Sequence, residues 1–406
     1  MKAQNIKEAI SVFDPERPLQ SKKALDAFFV ERTASPINEL AVLLQVSTTS
    51  PKVLFTGHRG SGKSTELAKL RCNLDDFFIV TFSVKDIVNL FDITYVDVLL
   101  AMATELFKKA SESKLRISKK IFEDIYKWFK SEVEVEKTVD DKASASVGAA
   151  LNLYVAKLQS KFGTESSTRT KVREKVEPRL SELLERVNIM IATIEAKSGK
   201  KVLMIVEDLD KTDLAKAKEI FCGHAMTLTD PNCSVIYTFP TALRHDNDFI
   251  GMCHNFDEQH VLPNFKIFHS NGSVDQEGRE QLKRLAANRI DAGIIDDDAL
   301  DIMIELCGGL PRELVRLGRR AALLAIGQNK DTIDAACMRQ AGTRLRNDYR
   351  ILLTSQQLDL LKEVKASKRV ENTDEYRTLL HNLSILEFRN DSVWHDVNPI
   401  VNELID

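Results

Sequence analysis

The sequence predicts an α/β protein built on a parallel sheet, and three observations predict it. Short apolar runs of β type alternate with helical patterns. Several of those runs are apolar without alternation, as in strands covered on both faces. The final third of the chain then turns mostly helical.

Five runs are candidate strands: Lys52–Thr56, Phe77–Ser83, Lys201–Val206, Ser234–Phe239 and Phe265–Phe268. Between the second and third lies Val84–Lys200, far longer than a βα loop, which predicts an inserted helical subdomain. Within it Ile93–Ala110, Ile121–Lys130 and Arg179–Ala196 have helical periodicity. Its centre, Lys142–Gly163, is rich in small residues and leaves three readings open: a mobile hairpin, an amphipathic helix or an oligomer contact.

After the last run, Arg279–Ala292, Asp296–Cys307, Pro311–Ile326 and Thr332–Asn347 have the apolar faces of helices. Asp296–Asp298 suit a positive helix N-terminus, and Pro311 suits a first helical position. A further unit begins near Arg350, with helices at Leu353–Val364 and Thr373–Ile385. Short strands follow at Leu386–Arg389 and Val393–Asp396, around the turn Asn390–Asp391. Helices ending in a small hairpin predict a winged helix-turn-helix, with Trp394 either anchoring the wing or filling its core.

Composition limits the function classes. A chain of 406 residues is long enough for two or three domains. Its 43% hydrophobic and 29% charged residues are those of a globular protein. The net charge of −3 predicts no bulk attraction to nucleic acid or anionic membranes. Six scattered cysteines form neither a C-x-x-C pair nor a zinc-spaced cluster and read as reduced thiols. The first residues lack an apolar signal core, and no long uncharged apolar run occurs, so a cytoplasmic address without a membrane span is expected.

The strongest motif is Gly57-His58-Arg59-Gly60-Ser61-Gly62-Lys63-Ser64, which fits G-x-x-x-x-G-K-[ST] between a strand and a helix. Glycines let such a loop turn its amides inward, and the helix N-terminus behind it favours a polyphosphate. Lys63 would neutralise β and γ phosphates, Ser64 would offer a hydroxyl to Mg²⁺, and Thr65 would lie near the α phosphate. The second motif is VLMIVEDLD at Val202–Asp210, a buried strand delivering acids at its C-terminal end. Glu207 stands where a phosphate-bound magnesium needs a carboxylate, and Asp208 where a water-polarising acid follows. The commoner order is Asp then Glu. The shorter second acid predicts slow hydrolysis, and Asp210 is a third candidate.

Lys52–Leu67 together with VEDLDK resembles the AAA+ and STAND divisions of P-loop ATPases, particularly bacterial relatives of the origin-recognition/Cdc6 initiators. Phe28–Arg32 resembles the F-V-x-R stretch that leads into their core, which implies that Val30 and Arg32 lie beside the adenine. Thr238 matches the sensor 1 position. Cys307–Arg312 is similar to the sensor 2 region, with Arg312 as the arginine that reaches the nucleotide.

The resemblance implies ATP and Mg²⁺ as cofactors, slow ATP hydrolysis, and homo-oligomers or a protein partner. It also implies an arginine supplied by a neighbouring subunit, for which Arg244, Arg284 and Arg289 are candidates. The plan it suggests is a lead-in and adenine-side segment at 1–50 and an ATPase core at 51–270, interrupted at about 84–200. A helical lid at 271–349 and a winged-helix domain at 350–406 complete it. Such bacterial ATPases often serve phage-defence or mobile-element modules.

Winged units of the initiators bind DNA, but residues 350–406 carry seven basic against ten acidic side chains. Arg377 and His381 are the only basic or imidazole groups on the second helix, so protein recognition or self-assembly is favoured over DNA. Three functions follow: a nucleotide-driven switch, an initiator-like DNA remodeller, and a nucleotide-locked scaffold that does not hydrolyse.

Overall fold

Residues 53–55 of the first strand are wholly apolar and wholly buried, which suits them to the middle of a sheet. The computed structural model, which describes residues 2–132, 166–389 and 392–405, places them there. Strand β1 (Lys52–Thr56) lies between β4 (Ser234–Phe239) and β5 (Glu258–Val261). Strands β2 (Phe77–Ser83) and β3 (Lys201–Glu207) complete a parallel sheet of order β2-β3-β4-β1-β5.

Alternation splits the sheet's side chains between two helical layers. Leu54, Met204 and Val206 point to one face, where they share a core with Leu99 and Phe107 of helix Tyr95–Glu112 and with Val187 and Ile191 of helix Leu180–Ser198. Val53, Phe55, Leu203 and Ile205 point to the other, against Leu40 and Leu44 of helix Ile37–Val46 and Leu67 of helix Lys63–Arg71. Each fully buried aliphatic or aromatic side chain of this kind contributes about 1.5–3 kcal/mol. Within the Val84–Lys200 interval, helices Lys119–Glu132 and Ser166–Val176 extend the first layer. Arg173 pairs with the fully buried Asp97 at 2.6 Å and helps fasten them. The Lys142–Gly163 segment and the Asn390–Asp391 turn lie outside the described residues.

One expected strand is displaced. Phe265–Phe268 is not a sheet strand; the fifth strand is β5, reading EQHV. As an edge strand paired only with β1, it leaves its side chains half-exposed and needs no apolar run. Phe265 and Ile267 instead enter the core of the helical lid. The Phe265 N–H donates to the Gly309 carbonyl.

The lid consists of helices Gln276–Ala287, Asp297–Leu306, Pro311–Gly327 and Ala335–Leu352. Its core also takes Ile6 and Phe13 from the N-terminal helix region, and Leu361, Leu379 and Ile400 from the C-terminal unit. That last unit has helices Ser355–Ser367 and Asp374–His381, then the antiparallel ribbon β6 (Ile385–Arg389) and β7 (Val393–Val397). The second helix is shorter than expected because Leu383 turns left-handed, with φ of 67°. Trp394 stacks on Phe388 at 4.5 Å between centroids and is buried with Leu310, so it serves the core of the wing. No helix among the described residues is long and apolar enough to cross a membrane.

Gly309 fixes the junction between sheet and lid. Its φ is +77°, and a Cβ there would lie 1.8 Å from the Phe265 carbonyl oxygen. Gly309→Ala is therefore expected to cost about 2–4 kcal/mol of stability, read as a lowered midpoint in urea unfolding followed by circular dichroism.

Candidate nucleotide site

The site starts from the end of β1. The Thr56 hydroxyl donates to the Phe239 carbonyl at 2.7 Å, and the Gly57 N–H donates to the Thr241 hydroxyl at 3.1 Å. The chain then wraps through Gly57, Gly60 and Gly62, whose φ values of 150°, 84° and 103° lie where side chains are disfavoured. At Gly60 the missing side chain also admits the lid. A Cβ would stand 2.8 Å from that of Arg312, whose N–H donates to the Gly60 carbonyl.

Lys63 opens the following helix and is buried. Its ammonium donates to the Gly57 and His58 carbonyls at 2.6 and 3.0 Å and pairs with Asp210 at 2.9 Å. Burial lowers its pKa, and Asp210 opposes that shift. Ser64, one residue on, donates to Glu207 at the end of β3. Burial raises the Glu207 pKa. A hydroxyl and a carboxylate thus meet beside the loop, a donor set that suits a hard divalent cation.

Asp208 behaves differently. It adopts a left-handed backbone, φ 71°, and turns its carboxylate toward β2. There it accepts from the Ser83 hydroxyl at 2.6 Å and pairs with Lys85 at 3.2 Å and Lys211 at 2.5 Å. Burial pushes its pKa up, but the hydrogen bonds from Lys211 and Ser83 together with both ammonium charges hold it below the ordinary value. Thr238 sits at the back, its hydroxyl accepting the Leu209 N–H at 3.1 Å.

These groups border a cavity of about 450 Å³, within the usual range for ligand sites. Gly60, Gly62, Lys63, Ser64, Thr65, Asp208, Asp210, Thr238 and Arg312 line it, and so does Arg59. Gly57, His58, Ser61 and Glu207 stand behind this lining. Val30 and Arg32, expected beside the base, are not in the lining of the cavity. Val30 packs on the lid core. Arg32 lies under the loop, where it donates to the Ser61 and Pro263 carbonyls at 2.6 and 2.7 Å, pairs with Glu66, and covers the Phe265 ring. Burial lowers its pKa to about 10. It stiffens the cradle from outside.

The outer wall is instead the segment from Ser11 to Leu19, in which no sequence pattern announced a site, with Ala27 and with Phe28, the first residue of the F-V-x-R stretch. Arg289 also lines the cavity. Its guanidinium lies 5.5 Å from the Phe28 ring centroid and its pKa is lowered by burial to about 10. It is thus part of its own chain's pocket, which removes it from the arginines available to a neighbour. Arg244 is engaged internally, 2.8 Å from Glu387. Of the three arginine candidates, Arg284 is the exposed one.

Two residues of the loop reach the winged unit. His58 Nε2 accepts the Glu387 N–H at 2.7 Å, and Arg59 lies 2.6 Å from His381 Nε2. Burial holds His58 at about 4, so its imidazole is neutral and free to accept. Burial, with the charge of Arg59, sets His381 at about 4 as well.

A phosphate loop after the central strand, acids ending the neighbouring strand and the order β2-β3-β4-β1-β5 define a P-loop nucleotide-binding fold of AAA+ type with a winged helix appended. Among solved structures, the chain is similar to Cdc6p from Pyrobaculum aerophilum, at 11% identity and a TM-score of 0.43 over 97% of each chain. It is also similar to the Aeropyrum pernix ORC2 protein in its ADP form, at 10% identity and 0.44 over 97% of this chain and 95% of that one. The Thermotoga maritima RuvB Holliday junction branch migration motor matches at 13% identity and 0.39 over 95% and 96%. No family model and no curated protein matches the sequence.

Two outcomes follow from this geometry. Gly60→Ala is expected to weaken ATP binding about tenfold or more, equivalent to ~1.4 kcal/mol, in a titration with a fluorescent nucleotide. Unfolded histidines titrate near 6.5, whereas folded His58 and His381 resist protonation until about 4. The unfolded chain therefore binds more protons in that window, and stability is lost as pH falls from about 6.5 toward 4. Unfolding midpoints measured across that range should fall less steeply for His58→Gln than for the wild type.

Proposed function

We propose that this chain is a magnesium-dependent ATP-binding switch that hydrolyses ATP slowly and whose nucleotide state controls self-assembly or contact with a protein partner. The observation that carries the reading is Lys63. A buried ammonium stands at the throat of the glycine-rich loop with Asp210 as its anionic partner. Phosphate oxygens are the natural replacement for that carboxylate.

The residues fit the groups. The Ser61 hydroxyl is buried with no hydrogen-bond partner, and a Cβ at Gly57 or Gly60 would strike the Leu262 carbonyl or the Arg312 side chain, so the loop can wrap this tightly only with glycines there. Ser64 and Glu207 would hold Mg²⁺, which would offset the charge of the phosphates. Lys63 would exchange Asp210 for phosphate. Asp210 and Thr238 would then be available to orient water, while Arg312, at the start of its lid helix, would sense the terminal phosphate.

His58 and Arg59 supply the route outward, because a loop that rearranges around phosphate moves the groups that hold the winged unit. Arg284 is the arginine positioned for a neighbouring subunit. A bacterial defence or mobile-element module, as the resemblance implies, would be served by such a switch.

A second reading, the nucleotide-locked scaffold, draws on Asp208. Two lysines and Ser83 occupy the acid expected to polarise water. The DNA-remodelling reading is weaker, since Arg377 donates to the His245 carbonyl and His381 meets Arg59, so both are spent inside the chain.

Phosphate release measured for wild type, Lys63→Ala, Asp208→Asn and Asp210→Asn tests the proposal. Lys63→Ala is expected to fall to background and Asp210→Asn to fall about 100-fold. A wild-type rate no higher than that of Lys63→Ala would remove the hydrolysis. ATP retained after purification would then favour the scaffold.

A further inference from the structure

Away from the cavity, three side chains from two parts of the chain converge on one point. Glu387 on β6 and His395 on β7 are direct cross-strand partners, so the ribbon presents them on one face. His245 approaches from the opposite side, at the end of the turn Thr241–His245 that follows β4. The ligand-type atoms of all three lie within 4.8 Å of one another. His245 Nε2 is 3.0 Å from Glu387 Oε2 and His395 Nε2 is 3.7 Å from it.

His395 is the odd member. Its Nε2 is buried and has no hydrogen-bond partner, since 3.7 Å exceeds hydrogen-bond range. Buried imidazole nitrogens are ordinarily satisfied, and leaving one bare costs about 1–3 kcal/mol. An electrophile at the centre of the trio would satisfy it. The edges of a tetrahedral zinc site are roughly 3.3 Å, given bonds of about 2.0–2.1 Å, so small side-chain rotations bring all three atoms into range.

The donor set restricts the occupant. The other oxygen of Glu387 takes Arg244 and Arg389, each at 2.8 Å. With both guanidiniums on that oxygen, a single carboxylate oxygen is left for an ion, too few for Mg²⁺ or Ca²⁺, which take most of their ligands as oxygen. An ion bound mainly through imidazole is compatible. His58 already accepts the Glu387 N–H and is not a ligand.

We propose that His245, Glu387 and His395 form a site for a zinc-class transition metal that staples the winged unit to the nucleotide-binding core, with water in the fourth position. The inference does not rest on ATP hydrolysis. The ligands come from both bodies, so the ion binds only when the wing is docked and stabilises that docked state by mass action.

The test uses the full chain stripped with a chelator and titrated with Co²⁺ and then Zn²⁺. The expected result is one ion per chain, a visible absorption band for tetrahedral Co²⁺ with nitrogen and oxygen ligands that Zn²⁺ bleaches, and a raised melting temperature with Zn²⁺. His395→Gln and His245→Gln should each lose the band and the thermal shift, with circular dichroism showing that both are folded. Lys63→Ala should keep them. No bound ion in the wild type, a sulfur-to-cobalt charge-transfer band, or binding unchanged in both histidine variants would each overturn the proposal.

Discussion

The loop from Gly57 to Gly62 must keep its tight wrap around the Lys63 ammonium, and much of the surrounding structure serves that constraint. Left-handed glycines make the turn possible but do not hold it. Arg32 holds it from below through the Ser61 carbonyl, and Lys63 holds it from within through the carbonyls of Gly57 and His58. Arg312 closes it from the lid side through Gly60. Arg32 and Lys63 are buried cations whose pKa burial lowers, and each is paired with an acid, Glu66 or Asp210, that offsets the cost of burying its charge.

The acids after β3 illustrate how one short sequence serves different ends. Glu207 stays in the strand and faces Ser64. Asp208 flips to the left-handed region and joins Lys85, Lys211 and Ser83, and Asp210 returns to Lys63. Spacing alone would rank Asp208 above Asp210 as the acid next to phosphate. The backbone reversal at residue 208 exchanges their surroundings, and a strand pattern carries no sign of such a reversal.

Legibility followed the range of the forces involved. The parallel strands, phosphate loop and winged ribbon could be read because period, glycine spacing and turn residues are local signals. β5 could not, because an edge strand covered on one side needs no apolar run, whereas Phe265–Phe268 has one for a different reason. The cavity's outer wall at Ser11–Phe28, the inward Arg289, and the contacts of His58 and Arg59 with the wing depend on residues hundreds of positions apart. The contacts of Arg32 are equally non-local: its salt bridge to Glu66 and the Phe265 ring hold it beneath the loop.

The N-terminal helix, Ile6–Val12, lies on the lid helix Pro311–Gly327, with Phe13 against Gly318 and Ala3 bonded to both Arg289 and Asp291. This stretch thus waits for a docking surface made some 300 residues later, roughly 15–60 s at ordinary elongation rates of about 5–20 residues per second. During that interval Ile6, Ala9 and Phe13 have no native cover, so the nascent chain carries an adhesive amphipathic segment. The tether that closes this long loop can form only once the lid helix has been made.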